Sequence, residues 1–258
     1  MNPTETLATI EIVLTRVSHP GNIGSAARAM KTMGLSYLTL VAPKILPNDE
    51  SRALASGADE VLDAARVVKT LDEALAETHW SLAVSARARD LGPPPQLARE
   101  GAAEAFARAA RGEKVALVFG HEATGLSNAE LQRCSAVARI PAQPGFASLN
   151  LAAAVQVLAY ELRMAALARA DASGLAAESG IVTPFASPPA SHAETEGFFQ
   201  HLEAVMIASG FLDPGAPRRI LPKLRRLFAR AGLEKDEINI LRGFLSAASA
   251  AKGDIPYK

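Results

Sequence analysis

A chain of 258 residues is long enough for one large domain, or for one domain with a small extension, around a well-buried core. Apolar residues make up 49% of it and charged residues 21%, a globular profile. Its 27 basic and 27 acidic side chains balance, so any surface for a polyanion has to be local. The single cysteine, Cys134, excludes an intrachain disulfide and offers no Cys-rich metal site. No basic-then-apolar signal pattern opens the chain, and no run of about 18 or more apolar residues is present to span a membrane, so a reducing, cytoplasmic setting is expected.

The first 165 residues alternate strand-like and helix-like patterns. Ile10–Leu14 is a short β-rich run followed closely by the Pro20-Gly21-Asn22 turn. Asn22 or Ser25 is placed to cap a helix reaching Met33, with Gly34 just past its end. Tyr37–Val41 reads as the next strand, ended by Pro43. After a helix-like LDEALAE segment, Ser81–Ser85 reads as another strand, and Lys114–Phe119 as a buried one ending at a glycine. Ala136–Ile140 follows a short capped helix, SNAELQRC, and a long helix starts near Ser148 or Asn150 and runs through Met164. Such alternation predicts an α/β domain with a mainly parallel sheet over residues 1–170. Residues 171–193 are rich in Ser, Ala and Pro and read as a linker. Beyond it, Glu194–Ser209, Ile220–Ala231 and Glu237–Ala251 predict a small all-α extension over residues 194–258.

The Gly-x-Gly-x-x-Gly turn of a dinucleotide-binding domain is absent after the first strand, and no phosphate-binding Gly-Lys-Ser/Thr loop occurs. A nicotinamide oxidoreductase is therefore disfavoured. Glycines and prolines cluster instead after the late strands, at Gly120–Leu126 and Ile140–Gly145. Loops beyond the carboxyl ends of parallel strands are where such sheets bind ligands, and they are also ordinary connecting turns.

Three stretches in this order resemble the SpoU/TrmH branch of the SPOUT methyltransferases. His19-Pro20-Gly21-Asn22-Ile23-Gly24-Ser25-Ala26-Ala27-Arg28 matches its Asn-x-Gly-x-x-x-Arg motif. Gly120-His121-Glu122 with Gly125-Leu126 matches its Gly-x-Glu-x-x-Gly loop. Ile140-Pro141 followed by Ser148-Leu149-Asn150 matches its proline loop and Ser-Leu-Asn helix start. Further stretches narrow the likeness: Ser85-Ala86-Arg87, the segment His201–Phe211, Lys223–Phe228 and Asn239–Gly243 are similar to the subgroup acting on tRNA.

The resemblance implies S-adenosylmethionine as methyl donor, a trefoil knot at the donor site, and a homodimer. It also implies ribose 2′-O-methylation of cytidine or uridine at position 32 of the anticodon loop. It places Val84, Ser85, Ala86, Gly120, Ile140, Pro141, Ala147, Ser148 and Leu149 around the donor, and makes Arg28, Asn22, Glu122, Ser148 and Asn150 the catalytic set. The same chemistry on a ribosomal RNA and a non-catalytic RNA-binding module are the alternative readings. His121, at a position that varies in relatives, carries no assigned role.

Methyl transfer from a sulfonium asks little of the donor side, whereas a ribose hydroxyl is a poor nucleophile until its proton leaves. No metal is needed for this, and no His/Cys/carboxylate cluster suggests one. Arg28 suits the anchoring of a phosphate and the stabilising of a developing oxyanion better than general-base work, because guanidinium groups stay charged; the base role stands as the alternative. Glu122 is placed to orient Arg28 or to contact donor or substrate, and Asn22 to hold the loop before Arg28. Ser148 and Asn150 are natural helix caps as well as site residues. His192 and His201 read as linker and helix surface, and Cys134 as a small buried hydrophobe.

Between Pro214 and Leu233 the chain carries Arg218, Arg219, Lys223, Arg225, Arg226 and Arg230 and no acid, a local charge of +6 suited to a phosphate backbone. Leu221, Leu224, Leu227 and Phe228 add an apolar stripe to the same helix, so docking and RNA contact are both expected of it. Arg16, Lys31, Arg87 and Arg89 would continue the RNA path.

Overall fold

Runs of Ile, Val, Leu and Ala suit strands covered on both faces, and the chain spends them in a single parallel sheet. The computed structural model describes residues 3–86, 94–144, 146, 148–172, 187–216 and 218–250. Its strands are β1 (Glu11–Thr15), β2 (Tyr37–Val41), β3 (Arg66–Val68), β4 (Trp80–Val84), β5 (Pro95–Leu97), β6 (Val115–Phe119) and β7 (Ala136–Arg139). They form one 7-stranded sheet in the order β3-β2-β1-β6-β4-β7-β5, and each ladder is parallel. The helices are α1 (Pro3–Ala8), α2 (Pro20–Met33), α3 (Asp49–Ala55), α4 (Asp59–Asp63), α5 (Leu71–Leu75), α6 (Ala98–Ala109), α7 (Asn128–Arg133), α8 (Leu151–Ala172), α9 (His192–Ala208), α10 (Ile220–Ala231) and α11 (Lys235–Ala250).

Alternation along each strand divides the core. Ile12 and Leu14 of β1, with Val115, Leu117 and Phe119 of β6, face the cluster under α2, α6 and α8. Val13, Ala116 and Val118 face the opposite cluster, with Leu71 and Leu75 of α5 and Leu131 of α7. Order in the sheet is not order in the chain. β6 is laid between β1 and β4, and β7 between β4 and β5. Leu14 therefore pairs with Phe119, and the loops leaving β1 and β6 start side by side.

The extension has a core of its own, in which Phe198 and Phe199 of α9, Phe228 of α10 and Ile238 and Leu245 of α11 pack together. Phe198 and Phe228 meet edge-on at 5.0 Å between ring centroids. An ionic cluster docks it to the sheet domain. Arg133 of α7 bridges Asp72 of α5 and Glu196 of α9, Arg225 of α10 reaches the same Glu196, and His192 Nε2 lies 2.9 Å from Asp72. His192, expected on a linker, is thus a nearly buried docking residue, and His201, expected on the surface, has its Nδ1 buried without a partner among the described residues.

The strands sit within a residue of the predicted ones, and α10 has the predicted limits. Helix α2 starts earlier than expected. Pro20 occupies its first turn and His19 its N-cap position without a side-chain cap, so Asn22 is inside the helix and its amide is free for other work. Gly34 takes the left-handed position at its end, as expected. Six short or weakly patterned elements, α1, α3, α4, α6, β3 and β5, have no counterpart in the sequence reading; the two strands among them are three-residue edges that show no alternation.

Helix α8 continues to Ala172, and residues 187–191 are packed rather than free. Ala190 is buried, its N–H donates to Leu233 O, and Ser191 caps α9. The predicted linker therefore narrows; its residues 173–186 lie outside the described residues. Residues Leu151–Arg169 are, by length and composition, apolar enough to cross a membrane, which corrects the reading that no such stretch exists. Val155, Leu158, Ala159 and Leu162 on that helix are fully buried against the sheet domain, as in a core helix.

Candidate active site

The carboxyl ends of β4, β6 and β7 open onto one cavity of about 280 Å³. Val84, Ser85 and Ala86 line it from β4, Phe119 to Leu126 from β6 and its loop, Ile140 from β7, and Ser148, Leu149, Leu151 and Ala154 from the start of α8. The loop after β6 is folded tightly upon itself. A Cβ on Gly120 would lie 2.2 Å from the backbone of Gly125 and of Leu126, so a side chain there would spread the loop. Gly125 N–H donates to His121 O at 2.7 Å, and Ala123 N–H donates to the His121 ring at 3.1 Å.

Beside the cavity, side chains from all three motif segments join in one network. Glu122 accepts from Ser18 N–H (3.1 Å), Ser18 Oγ (3.0 Å), His19 N–H (3.2 Å) and Asn22 Nδ2 (3.1 Å). Asn22 Oδ1 in turn accepts from Asn150 Nδ2 at 2.8 Å. Asn150 is also the cap of α8, its Oδ1 accepting from Ala152 N–H at 2.8 Å and from Ala153 N–H at 3.3 Å. Burial pushes the Glu122 carboxyl up, but hydrogen bonds from its own backbone amide, Asn22, Ser18 and His19 outweigh that and hold it down at about 2. A fixed negative charge thus sits at the rim of the cavity.

Arg28, two turns along α2 from Asn22, is exposed, and its guanidinium has no hydrogen-bond or ion-pair partner among the described residues. The structure does not join it to Glu122, which corrects one expected use of that carboxylate: Glu122 is spent on Ser18, His19 and Asn22. Helix α2 is set close to α3 by Gly24, where a Cβ would lie 2.0 Å from Ser51 O.

Of the expected donor-pocket residues, Val84, Ser85, Ala86, Gly120, Ile140, Ser148 and Leu149 line the cavity. Pro141 does not; it is exposed, because β7 ends at Arg139 and the neighbour of the inward Ile140 turns out. Ala147 lies outside the described residues, as do Arg87 and Arg89. Ser148 is exposed at the cavity mouth. Sequence reasoning missed Ser18, since nothing local marks a serine as the partner of a carboxylate 104 positions away.

The cavity fits S-adenosylmethionine. It offers the apolar walls of Val84, Phe119, Leu126, Ile140 and Leu149 for a planar base, close backbone at Gly120, and the ionised Glu122 nearby to balance a cation. Among the described residues no group of three or more His, Cys, Asp or Glu is arranged to hold a metal. Cys134 is buried, and burial pushes its thiol up to about 12, so it is no nucleophile at neutral pH.

The expected RNA-facing cations divide into two kinds. Arg218, Arg219, Lys223, Arg226 and Arg230 are exposed; the last three share the outer stripe of α10 with Leu227, while Leu224 and Phe228 face the extension's core. Arg225 does not belong with them. It stacks over the Phe199 ring at 4.3 Å and grips Glu196, with only 20% of its side chain exposed, because it lies on the docking face of the helix. Of the cations outside the extension, Arg16 pairs with Glu130 and Lys31 with Glu60. The Lys31 pair is exposed on both sides and weak enough to exchange for a phosphate.

Known proteins share both halves of this arrangement. The model of the SpoU rRNA methylase family matches residues 9–160, and that of the C-terminal domain of tRNA methyltransferase TrmJ matches residues 193–254. The tRNA (cytidine/uridine/adenosine-2'-O-)-methyltransferase TrmJ of Pseudomonas aeruginosa is 47% identical over 96% of this chain and 97% of its own. The tRNA (cytidine/uridine-2'-O-)-methyltransferase TrmJ of Cronobacter sakazakii is 46% identical over 97% of this chain and 100% of its own. The crystal structure of TrmJ from Z. mobilis ZM4 matches with a TM-score of 0.76 at 33% identity, over 92% of this chain and 98% of that one.

Proposed function

The chain belongs to the SpoU rRNA methylase family of S-adenosylmethionine-dependent methyltransferases, and from that premise we propose that it methylates the ribose 2′-hydroxyl of tRNA, on cytidine or uridine at position 32 of the anticodon loop. The observation that carries the reading is the chain of hydrogen bonds Asn150–Asn22–Glu122, which joins the three motif segments at the rim of the cavity. Its relatives that span both halves of the chain are named as tRNA enzymes, which favours tRNA over ribosomal RNA.

When bound, S-adenosylmethionine supplies an electrophilic methyl group on a cationic sulfur. Val84, Ser85, Ala86, Gly120, Ile140 and Leu149 would hold it, with apolar walls that exclude water. Arg28 anchors the phosphate next to the reacting ribose and stabilises the negative charge that grows on its oxygen; a guanidinium with no competing partner among the described residues suits that work. Asn22 and Asn150 hold each other, and through Glu122 the start of α2, so that Arg28 projects from a rigid base. Ser148 at the cavity mouth contacts substrate.

Arg218, Arg219, Lys223, Arg226 and Arg230 bind the tRNA backbone, and Lys31 and Arg87 continue the RNA contact. The chain divides into a methyltransferase domain over residues 1–170, a linker and an RNA-binding extension over residues 194–258. The insertion of β6 and β7 between earlier strands supports a trefoil knot at the donor site. Tyr160, Met164 and Leu167 form an outward apolar row on α8, which supports a homodimer. The enzyme works in the cytoplasm without a metal.

Incubation with methyl-labelled S-adenosylmethionine and separate tRNA and ribosomal RNA pools, followed by mapping of the labelled nucleotide, tests the reading. Label on a ribose at tRNA position 32 is the expected result; label confined to ribosomal RNA would overturn the substrate, and binding of tRNA with no transfer would overturn the chemistry.

A further inference from the structure

Arg16 directly follows β1 in the left-handed backbone region, at φ 52, which residues other than glycine rarely adopt. Its N–H donates to Val41 O at 2.8 Å, tying the turned backbone to the neighbouring strand. One nitrogen of its guanidinium, Nη2, donates both to Gly125 O (3.2 Å) and to Glu130 Oε2 (2.8 Å). That same Glu130 oxygen accepts from Ser127 N–H at 2.6 Å, at the cap of α7. Arg16 Nε is buried without a hydrogen-bond partner among the described residues. The side chain therefore gives up water on one nitrogen in order to set another against the loop.

Gly125 and Leu126 line the donor cavity. Their loop is gripped on its Glu122 side by Ser18, His19 and Asn22, and on its Gly125 side by Arg16 alone of the segment 16–22. For Nη2 to serve a phosphate it would have to leave Glu130, whose side chain is only 16% exposed, and breaking such a pair strands the remaining charge.

We propose that Arg16 is a positioning residue of the methyl-donor pocket, which holds Gly125, Leu126 and the start of α7 in place, and is not an RNA contact. The proposal rests on the reading of the cavity as the S-adenosylmethionine site.

The test is the affinity of the full chain for S-adenosylmethionine in the absence of RNA, with thermal midpoints recorded alongside. Arg16→Met, which keeps the stem and loses the donors, weakens donor binding about tenfold. Arg16→Lys, which can reach both acceptors with one nitrogen, restores most of it. Glu130→Gln weakens it less, and the Arg16→Met/Glu130→Gln pair binds no worse than Arg16→Met, because the two act through one contact. The salt dependence of tRNA binding stays as in the wild type. Should Arg16→Met fail to fold, Glu130→Gln and Arg16→Lys carry the test with the same ranking. Donor binding unchanged in Arg16→Met, or a tRNA salt slope that falls by about one, would overturn the proposal. Wild-type protein that takes up no donor would overturn the functional reading and the proposal together, a result distinct from unaffected variants.

Discussion

The hub around Glu122 and the outer stripe of α10 are both polar, and they are built on opposite principles. In the hub, side chains and amides from residues 18–22, 122 and 150 meet across more than a hundred positions of sequence, and each donor has its acceptor. On α10, Lys223, Arg226 and Arg230 lie within three turns of one helix, point outward and are exposed. The hub does its work through geometry and depends on every member. The stripe works through summed charge and tolerates the loss of any one. Arg225 and Arg226, adjacent in sequence, fall on the two sides of this division, since one is bound to Glu196 and the other faces solvent.

The largest effect belongs to Arg28, which projects from α2, the helix whose start the hub holds. Arg28→Ala is expected to slow single-turnover methyl transfer on the order of 10²–10³-fold while donor affinity stays near that of the wild type. A rate within a few-fold of the wild type would remove Arg28 from the chemistry.

Next in size is Glu122→Gln, which leaves two backbone amides and two side chains without their charged acceptor and costs about 1–3 kcal/mol of stability, read by denaturant unfolding. The acid limb of the stability profile carries the same signature. A carboxyl held at about 2, below its ordinary 4.5, stabilises the fold above 4.5 and gives that stability up as the pH falls towards 2. The wild type therefore loses a share of its stability in that window that Glu122→Gln never had. Parallel acid profiles would show that the hydrogen bonds to Glu122 contribute nothing.

On α10 the effects are smaller and graded. Lys223→Ala, Arg226→Ala and Arg230→Ala each lower the salt slope of tRNA binding by about one, roughly independently of tRNA sequence. Arg225→Ala leaves the slope as it is and instead loosens the docking of the extension, seen as faster proteolysis or hydrogen exchange of α9 and α10. A reduced slope for Arg225→Ala would erase the distinction between the two faces. Least of all, Cys134 is expected to resist alkylation at neutral pH in the folded protein, since burial pushes its thiol up to about 12.

Local order made some of this legible before any coordinates. The amphipathic run Ile220–Ala231, the Ser127 cap followed three residues later by Glu130, and the β-rich VALVF all declare themselves within a few residues. The three motif segments were legible as well, through their resemblance to the SpoU/TrmH branch; spacing alone left the late loops open between a ligand site and ordinary turns. What could not be read was who meets whom. Ser18 and Glu122 are joined only because β6 is inserted beside β1, and no periodicity announces an insertion. Composition likewise marks Arg16 and Arg225 as free cations, whereas their charge is spent on Glu130 and Glu196, whose positions depend on tertiary packing.

The division between the site that the hub supports, with Arg28 projecting from it, and the stripe can be tested in one experiment: single-turnover methyl transfer measured against rising tRNA concentration, for Arg28→Ala and for the triple variant Lys223→Ala/Arg226→Ala/Arg230→Ala. The account predicts that the triple variant is slow at low tRNA and reaches the wild-type rate at saturation, while Arg28→Ala stays slow at every concentration. A triple variant that stays slow at saturation, or an Arg28→Ala that recovers there, would contradict it.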